Sequence, residues 1–259
     1  EGQPSVRHAL ARWQGLGLFA PAGGGLVGIA DRCAPTGEGE DDLALTESLR
    51  RAVLKVVFLP KSVGTLLSTD GSADFARGLS WWMAQDAWST DMSTNALLSL
   101  EGRQLSHGDI RLVNNNVRMD RLREWASFLG FVWTSGRVVQ LDPTMAILRV
   151  LDAVLPPSGQ PLAAADFVAA LAEVLPVLDG GTFRLEVESK LKSEVWQPTP
   201  AGWVSSTLGR ALRRLAHLGR LRLIARADAG TSMRVPGRGG AASRPWHAFT
   251  HVERAEFVK

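Results

Sequence analysis

The chain has 259 residues, which is enough for two small domains and part of a third. Its apolar fraction of 45%, charged fraction of 21% and net charge of +3 are ordinary for a soluble globular protein. The one cysteine excludes a disulfide-rich class, and no apolar run approaches the roughly eighteen residues of a membrane span. We therefore expect a cytoplasmic protein without membrane contact.

The first segment, residues 1–36, is predicted to hold a helix from Val6 to Gln14 and a hairpin around three consecutive glycines, Gly23 to Gly25. This order favours a partial winged helix, with only the recognition helix and the wing. We expect its upstream helices to lie outside this sequence. Residues 37–43 form an acidic linker in this interpretation, because they lack apolar periodicity.

The second segment, residues 44–142, is predicted to be mostly helical and to end in a hairpin. Its predicted helices run over 45–58, 72–87, 91–100 and 117–129. Gly130 follows the last of them, as a glycine often does at a helix C-terminus. Residues 131–133 and 137–141 are then predicted to pair across a Ser-Gly turn.

The third segment, residues 143–259, begins with a Pro-Thr helix-start signal and carries helices over 145–155, 162–177 and 204–217. A polar stretch, 179–203, connects the last two helices. We predict that 221–223 then pairs with 233–235 across the Asp228–Gly230 turn. The remaining tail is rich in Gly and Arg.

One short order of elements occurs three times in these segments. An apolar helix ends in Leu-Gly, at Leu16-Gly17, Leu129-Gly130 and Leu218-Gly219, and a predicted hairpin follows each time. A helix stopped by glycine and followed by a hairpin is typical of the second half of a winged helix. The predicted fold class is therefore mainly α with small β-hairpin wings, built from tandem winged helix-turn-helix domains.

Arginine is concentrated in the third segment. Between Ser205 and Thr250 there are nine Arg, no Lys and a single acid, Asp228. On the helix 204–217 the Arg side chains are predicted to lie opposite the apolar face, and hydroxyls at its start could cap it or meet a phosphate. The candidate DNA-binding residues are Ser206, Thr207, Arg210, Arg213, Arg214, His217, Arg220, Arg222, Arg226 and Arg234.

The corresponding helix in the second segment has alternating charges, Arg118, Arg121 and Arg123 against Asp120 and Glu124. Its outer face is nearly neutral, which favours a protein partner over DNA. The Arg block itself leaves two targets open, the phosphates of nucleic acid or an acidic protein surface.

Catalytic motifs are not recognisable in the sequence. It contains no phosphate-binding loop and no nucleophile elbow, and His247 and His251 lack the further ligands that a zinc site needs. We therefore expect no enzymatic activity, no cofactor and no metal. Most of the nine Trp fall at core positions, but Trp196, Trp203 and Trp246 lie in irregular stretches near Arg, where an aromatic ring could stack a base.

The run from Asn116 to Phe131, with Leu141-Asp-Pro-Thr144, resembles DpdG-type proteins. Residues 79–86 (LSWWMAQD) and 249–252 (FTHV) support the same resemblance. It implies a winged-helix component encoded in bacterial phage-defence and DNA-modification clusters, working beside helicase or nuclease subunits. The favoured function is non-specific binding of double-stranded DNA, mainly through its phosphates, within a multi-subunit phage-defence complex. The alternatives are an adaptor that binds partner subunits and a transcription regulator.

Overall fold

The computed structural model describes residues 3–34, 41–59, 66–67, 73–109, 111–136, 138–157, 159–238 and 246–255. Within them the chain is mainly α-helical with small antiparallel sheets, as predicted. It divides into two compact units, Glu1–Ala76 and Arg77–Lys259. The division of 44–142 from 143–259 into separate domains stays a prediction.

The first unit contains a helix, a hairpin and a second long helix. Its elements are α1 (Gln3–Leu16), β1 (Phe19–Pro21), β2 (Val27–Ile29), a 3-10 turn (Asp31–Cys33) and α2 (Asp42–Val57). Strands β1 and β2 are antiparallel, with Phe19 opposite Ile29, so the predicted first hairpin is confirmed. All three glycines of its turn have positive φ, a conformation that is cheap only without a Cβ.

Helix α2 begins earlier than its periodicity predicted. The carboxylate of Asp41 accepts a hydrogen bond from the Ala44 amide at 2.8 Å, so Asp41 is the N-cap. The helix therefore includes Asp42 and Leu43, the last two residues of the predicted linker. Linker residues 37–40 lie outside the described part of the chain.

Three helices and a hairpin make up the next part of the chain. They are α3 (Ala73–Met83), α4 (Thr94–Gln104), α5 (Asn116–Leu129), β3 (Val132–Ser135) and β4 (Val138–Leu141). Strands β3 and β4 pair with Val132 opposite Leu141, which confirms the second predicted hairpin. In the second unit, the side chains of Trp81, Trp82, Leu97 and Met119 are fully buried.

The remaining elements belong to the second unit as well. They are α6 (Thr144–Val154), β5 (Leu162–Ala163), α7 (Ala164–Val174), α8 (Thr182–Glu188), α9 (Ser206–His217), β6 (Leu221–Ile224), β7 (Met233–Val235), β8 (His247–Phe249) and β9 (His251–Arg254). Two of these differ from the sequence prediction. The predicted helix 162–177 starts with a short strand, and the polar stretch 179–203 contains the short helix α8.

The third predicted hairpin is wrong in its pairing. Strand β6 pairs with β9 instead of β7, and β7 pairs with β8. Strand β5 joins the other edge of β9, so β5, β9 and β6 form one antiparallel sheet. Arg222 lies directly opposite Glu253 in this register, and their side chains form an ion pair at 2.7 Å. This ion pair stabilises the pairing of β6 with β9.

His247 and His251, which the sequence analysis weighed as zinc ligands, lie on different strands. The chain bends at Thr250, so His247 belongs to β8 and His251 to β9, and these strands pair with different partners. None of the helices in the described ranges has both the length and the apolar character that crossing a bilayer requires.

Candidate nucleic-acid interface

Helix α9 carries the Arg-rich face that the sequence singled out. Leu208, Ala211, Leu212 and Leu215 are buried along one side, which confirms the predicted apolar face. Ser205 is the N-cap, because its hydroxyl accepts a hydrogen bond from the Leu208 amide at 3.2 Å. The polar side chains therefore project from the opposite side, as helical periodicity requires.

A buried ionic network holds the start of this helix. The Arg184 side chain, only 3% exposed, donates to Asp179 and to Glu188, each at 2.6 Å. The Asp179 carboxylate also accepts from the Ser205 hydroxyl at 2.6 Å and from the Ser205 amide at 2.5 Å. The N-cap residue is thus anchored by side chains of α8 and the turn before it, none of which the sequence analysis had selected.

The two hydroxyl residues proposed for phosphate contact have partners inside the protein. Thr207 is fully buried, and its hydroxyl donates to the Gln85 carbonyl at 3.1 Å. The Ser206 hydroxyl accepts from the Ala87 amide at 2.9 Å. Residues 85–87 therefore cover this end of α9, and the burial of Thr207 removes it from the candidate contacts.

Arg210 is likewise held within the protein. Its guanidinium donates to the Ala87 carbonyl at 3.0 Å and lies 4.0 Å from the ring centroid of Trp88. Longer contacts reach Gln140 at 3.3 Å and the Leu141 carbonyl at 3.4 Å. Sequence reasoning selected this side chain as a DNA contact, but its contacts show a cation that joins three parts of the second unit.

Burial lowers the pKa of the Arg210 guanidinium below its ordinary value. The carboxylates of Asp142 and Asp86 act in the opposite direction, and the cations Arg238 and Arg213 add to the lowering. A guanidinium titrates so far above neutral pH that Arg210 keeps its charge.

Two further Arg of the candidate set are paired with carboxylates. Arg214 forms an ion pair with the buried Asp142 at 2.5 Å. Arg222 pairs with Glu253 across the β6–β9 ladder. Their positive charges are partly neutralised, so they attract a phosphate less strongly than Arg side chains without a carboxylate partner would.

The accessible positive charge comes from other members of the set and from Arg238, which the set does not include. Among the residues that the structure describes, Arg213, Arg226, Arg234 and Arg238 have no carboxylate partner. Arg226, Arg234 and Arg238 are exposed and Arg213 is half-buried. His217, at the end of α9, is exposed too, and Arg220 is half-buried beside it.

Aromatic rings organise several of these cations. Trp88 has the guanidinium carbons of Arg210, Arg238 and Arg213 at 4.0, 5.6 and 6.0 Å from its ring centroid. The Arg213 guanidinium also lies 4.7 Å from the ring centroid of Trp246. We call these five residues the Arg–Trp cluster.

Sequence reasoning found part of the Arg–Trp cluster and missed the rest. It selected Arg210 and Arg213, and it singled out Trp246 as an aromatic residue in an irregular stretch near Arg. It missed Arg238, which lies outside the predicted wing, and Trp88. No local pattern marks Trp88, because the hydrogen bond from the Arg210 guanidinium to the neighbouring Ala87 carbonyl joins positions 123 residues apart.

A separate pair of Trp and Arg lies at β7. The Arg234 guanidinium carbon lies 5.6 Å from the ring centroid of Trp203. The backbone of Arg234 bonds to Gly202 and Val204, which fixes the strand beside this ring. Trp203 was also among the aromatics that the sequence placed near Arg.

Helix α5 presents a different surface, as its sequence predicted. Exposed ion pairs join Arg121 to Glu124 and Arg123 to Asp120, at 2.8 and 3.5 Å. An open groove of about 710 Å³ lies beside this helix, lined by Met92, Ser93, Thr94, Arg123, Glu124, Ser127, Phe128, Thr134, Gly136 and Val139. The adjacent hairpin exposes 43% of Trp133 and 52% of Val138. This surface is nearly neutral and partly apolar.

Metal-ligating residues do not gather in the described ranges. No group of three or more His, Cys, Asp or Glu side chains lies close enough there to hold an ion.

A family model described as DpdG-like matches residues 1–229, which is most of the chain. No curated protein matches the chain, and no solved structure does.

Proposed function

The chain belongs to the DpdG-like family, and on that premise we propose that it is a non-enzymatic DNA-binding component of a bacterial phage-defence or DNA-modification system. Membership of this family supports a role in such a system. The proposal of a DNA contact depends on the Arg side chains around α9 and the following strands that have no carboxylate partner among the described residues. We propose further subunits of the same system as its protein partners.

The order of elements from 144 to 254 supports a winged-helix interpretation of this part. Helix α6, strand β5 and helices α7 and α9 come first, and β6 and β9 then join β5 in one sheet. In this interpretation β6 and β9 are the wing strands, and the β7–β8 pair is an insertion between them. The α5–β3–β4 and α1–β1–β2 orders fit the tandem arrangement, with the first copy partial.

The contacts favour phosphates over base edges as the DNA target. Thr207 is buried, and Arg210 and Arg214 have partners inside the protein, so much of the polar face of α9 is not available to enter a groove. Exposed cations at the margin of the helix and on the strands remain. Phosphate contacts of this kind provide affinity but little sequence information.

The test replaces two exposed cations and compares the variant with a matched control. We would measure binding of a labelled 30-base-pair duplex over a salt series for wild type, for Arg226→Ala/Arg234→Ala and for Arg103→Ala/Arg121→Ala. The control removes two exposed Arg from α4 and α5, so both variants lose the same charge. Because each neutralised phosphate contributes about 0.9 to the salt slope, the first variant should lose roughly one to two units.

Three outcomes would contradict the proposal. Absence of binding by wild type at low salt would exclude DNA as the target. Equal losses in the two variants would show a response to net charge alone. Cleavage of the duplex by the purified chain would show that it is an enzyme.

The neutral surface beside α5 favours a second candidate function, an adaptor that binds a partner subunit. Depletion of charge with exposed aromatic side chains is typical of protein interfaces. The variant Trp133→Ala/Val138→Ala should then lose co-purification with co-expressed helicase or nuclease subunits of the same system while its DNA binding is unchanged. Retained co-purification would exclude this surface as the interface.

A further inference from the structure

The Arg–Trp cluster, Trp88, Arg210, Arg213, Arg238 and Trp246, brings three cations around one indole ring. Their guanidinium carbons lie within 4.0 to 6.0 Å of the Trp88 ring centroid. Each ring attracts a cation, but the three cations repel one another.

The charges of the cluster are only partly balanced inside the protein. Arg210 has the carboxylates of Asp142 and Asp86 near it. Arg213 and Arg238 have no carboxylate partner among the described residues. A guanidinium stacked on an aromatic ring keeps its N–H groups at the edge, where they suit two oxygens of a phosphate. Binding of an anion would therefore relieve the repulsion.

The ring of Trp246 gives the cluster an aromatic surface that solvent can reach. Trp246 is 43% exposed, although Arg213 lies over its ring at 4.7 Å. An indole next to unpaired guanidinium groups is the combination with which proteins bind single-stranded nucleic acid, where a base stacks on the ring and cations hold the backbone. A base inside a duplex has both faces covered by its neighbours and cannot stack in this way.

We propose that the Arg–Trp cluster binds an unpaired nucleotide of DNA, with Arg213 and Arg238 on its phosphate and its base stacked on Trp246. This inference rests on the proposed function and adds a substrate class to it. The protein would then prefer DNA that carries bulged or single-stranded nucleotides to fully paired DNA. Arg210 would act as a positioning residue, since its contacts hold Trp88 in place.

The experiment compares two labelled DNAs at one salt concentration, a 30-base-pair duplex and the same duplex with a central three-nucleotide bulge. The proteins are wild type, Trp246→Ala, Trp246→Phe and Trp133→Ala. The last is the matched control, because Trp133 is also 43% exposed but lies on β3 without a cation stacked on it in the described structure. Circular dichroism would check that each variant is folded.

Wild type should bind the bulged duplex on the order of tenfold more tightly, which is within the range of a single base–aromatic stack. Trp246→Ala should lose this preference, so that its affinities for the two DNAs agree within about twofold. Trp246→Phe should retain most of the preference, and Trp133→Ala should retain all of it.

Equal affinities of wild type for the two DNAs would overturn the inference and leave the proposed function intact. A preference that survives Trp246→Ala would overturn it too, because the flexibility of bulged DNA would then explain the difference. Failure to bind either DNA would overturn the proposed function and this inference together.

Discussion

At the scale of single residues, Arg184 shows how a buried charge supports a surface function. Its guanidinium neutralises two carboxylates, Asp179 and Glu188, in a nearly water-free position. Asp179 in turn binds both the amide and the hydroxyl of Ser205 at the start of α9. The position of the candidate DNA-binding helix therefore depends on a cation that solvent does not reach.

We expect Arg184→Met to lower the free energy of unfolding by about 3–5 kcal/mol, because the buried Asp179 and the half-buried Glu188 would lose their partner. The measurement is urea unfolding followed by circular dichroism. Arg121→Ala is the control, since its ion pair is exposed and should contribute less than about 1 kcal/mol. A loss below about 1 kcal/mol in Arg184→Met would mean that the network does not hold the helix.

At the scale of elements, the glycine that follows each repeated helix has the left-handed conformation. Gly17, Gly130 and Gly219 have φ of 81°, 86° and 63°. The Leu-Gly pairs predicted the three helix ends, and a helix commonly ends where the next residue adopts positive φ. Gly130 has an additional reason to be glycine, since α6 begins close to its Cα.

Gly130→Ala should therefore destabilise the protein more than Gly219→Ala. A Cβ at 130 would lie 2.6 Å from the Met145 Cβ and 2.9 Å from the Ala146 amide nitrogen, whereas a Cβ at 219 meets nothing within 4 Å. Both variants incur backbone strain of about 1–2 kcal/mol. The additional loss of unfolding free energy in Gly130→Ala, measured by urea unfolding, is then the cost of the close contact between the new Cβ and α6. Equal losses would show that α6 yields to the added atom.

At the scale of the whole molecule, the distribution of charge matters more than its sum. The net charge is only +3, yet the stretch from Ser205 to Thr250 has nine Arg and a single acid. Among the residues that the structure describes, these Arg fall into two groups. Some are paired or stacked inside the second unit, and others remain accessible for a polyanion.

Because the accessible cations suit phosphates, we expect little discrimination between DNA sequences. Two unrelated 30-base-pair duplexes, one rich in A·T and one in G·C, should compete within about threefold. Raising salt from 50 to 200 mM should weaken binding on the order of 100-fold, if about four phosphates are neutralised. A preference above about tenfold for one duplex in competition titrations would indicate base reading instead.

Local features of this chain were predictable from its sequence. The mainly helical class, the helix-ending glycines, the β1–β2 and β3–β4 hairpins and the apolar face of α9 all follow from residues within a few positions of one another. The observed helix boundaries differ from the predicted ones where a capping residue sets the helix start, as Asp41 does for α2. The DpdG-type resemblance was predictable too, because it depends on quoted runs of sequence.

Tertiary structure alone decided the composition of the candidate site. Strand β6 pairs with β9 and not with β7, the strand that follows it in the sequence. Arg222 and Glu253 form an ion pair across the observed pairing. Burial of Thr207 and the stacking of Arg210 on Trp88 depend on residues more than 100 positions away. Periodicity reports which side of a helix is polar, but what covers that side is a long-range packing contact that leaves no local pattern.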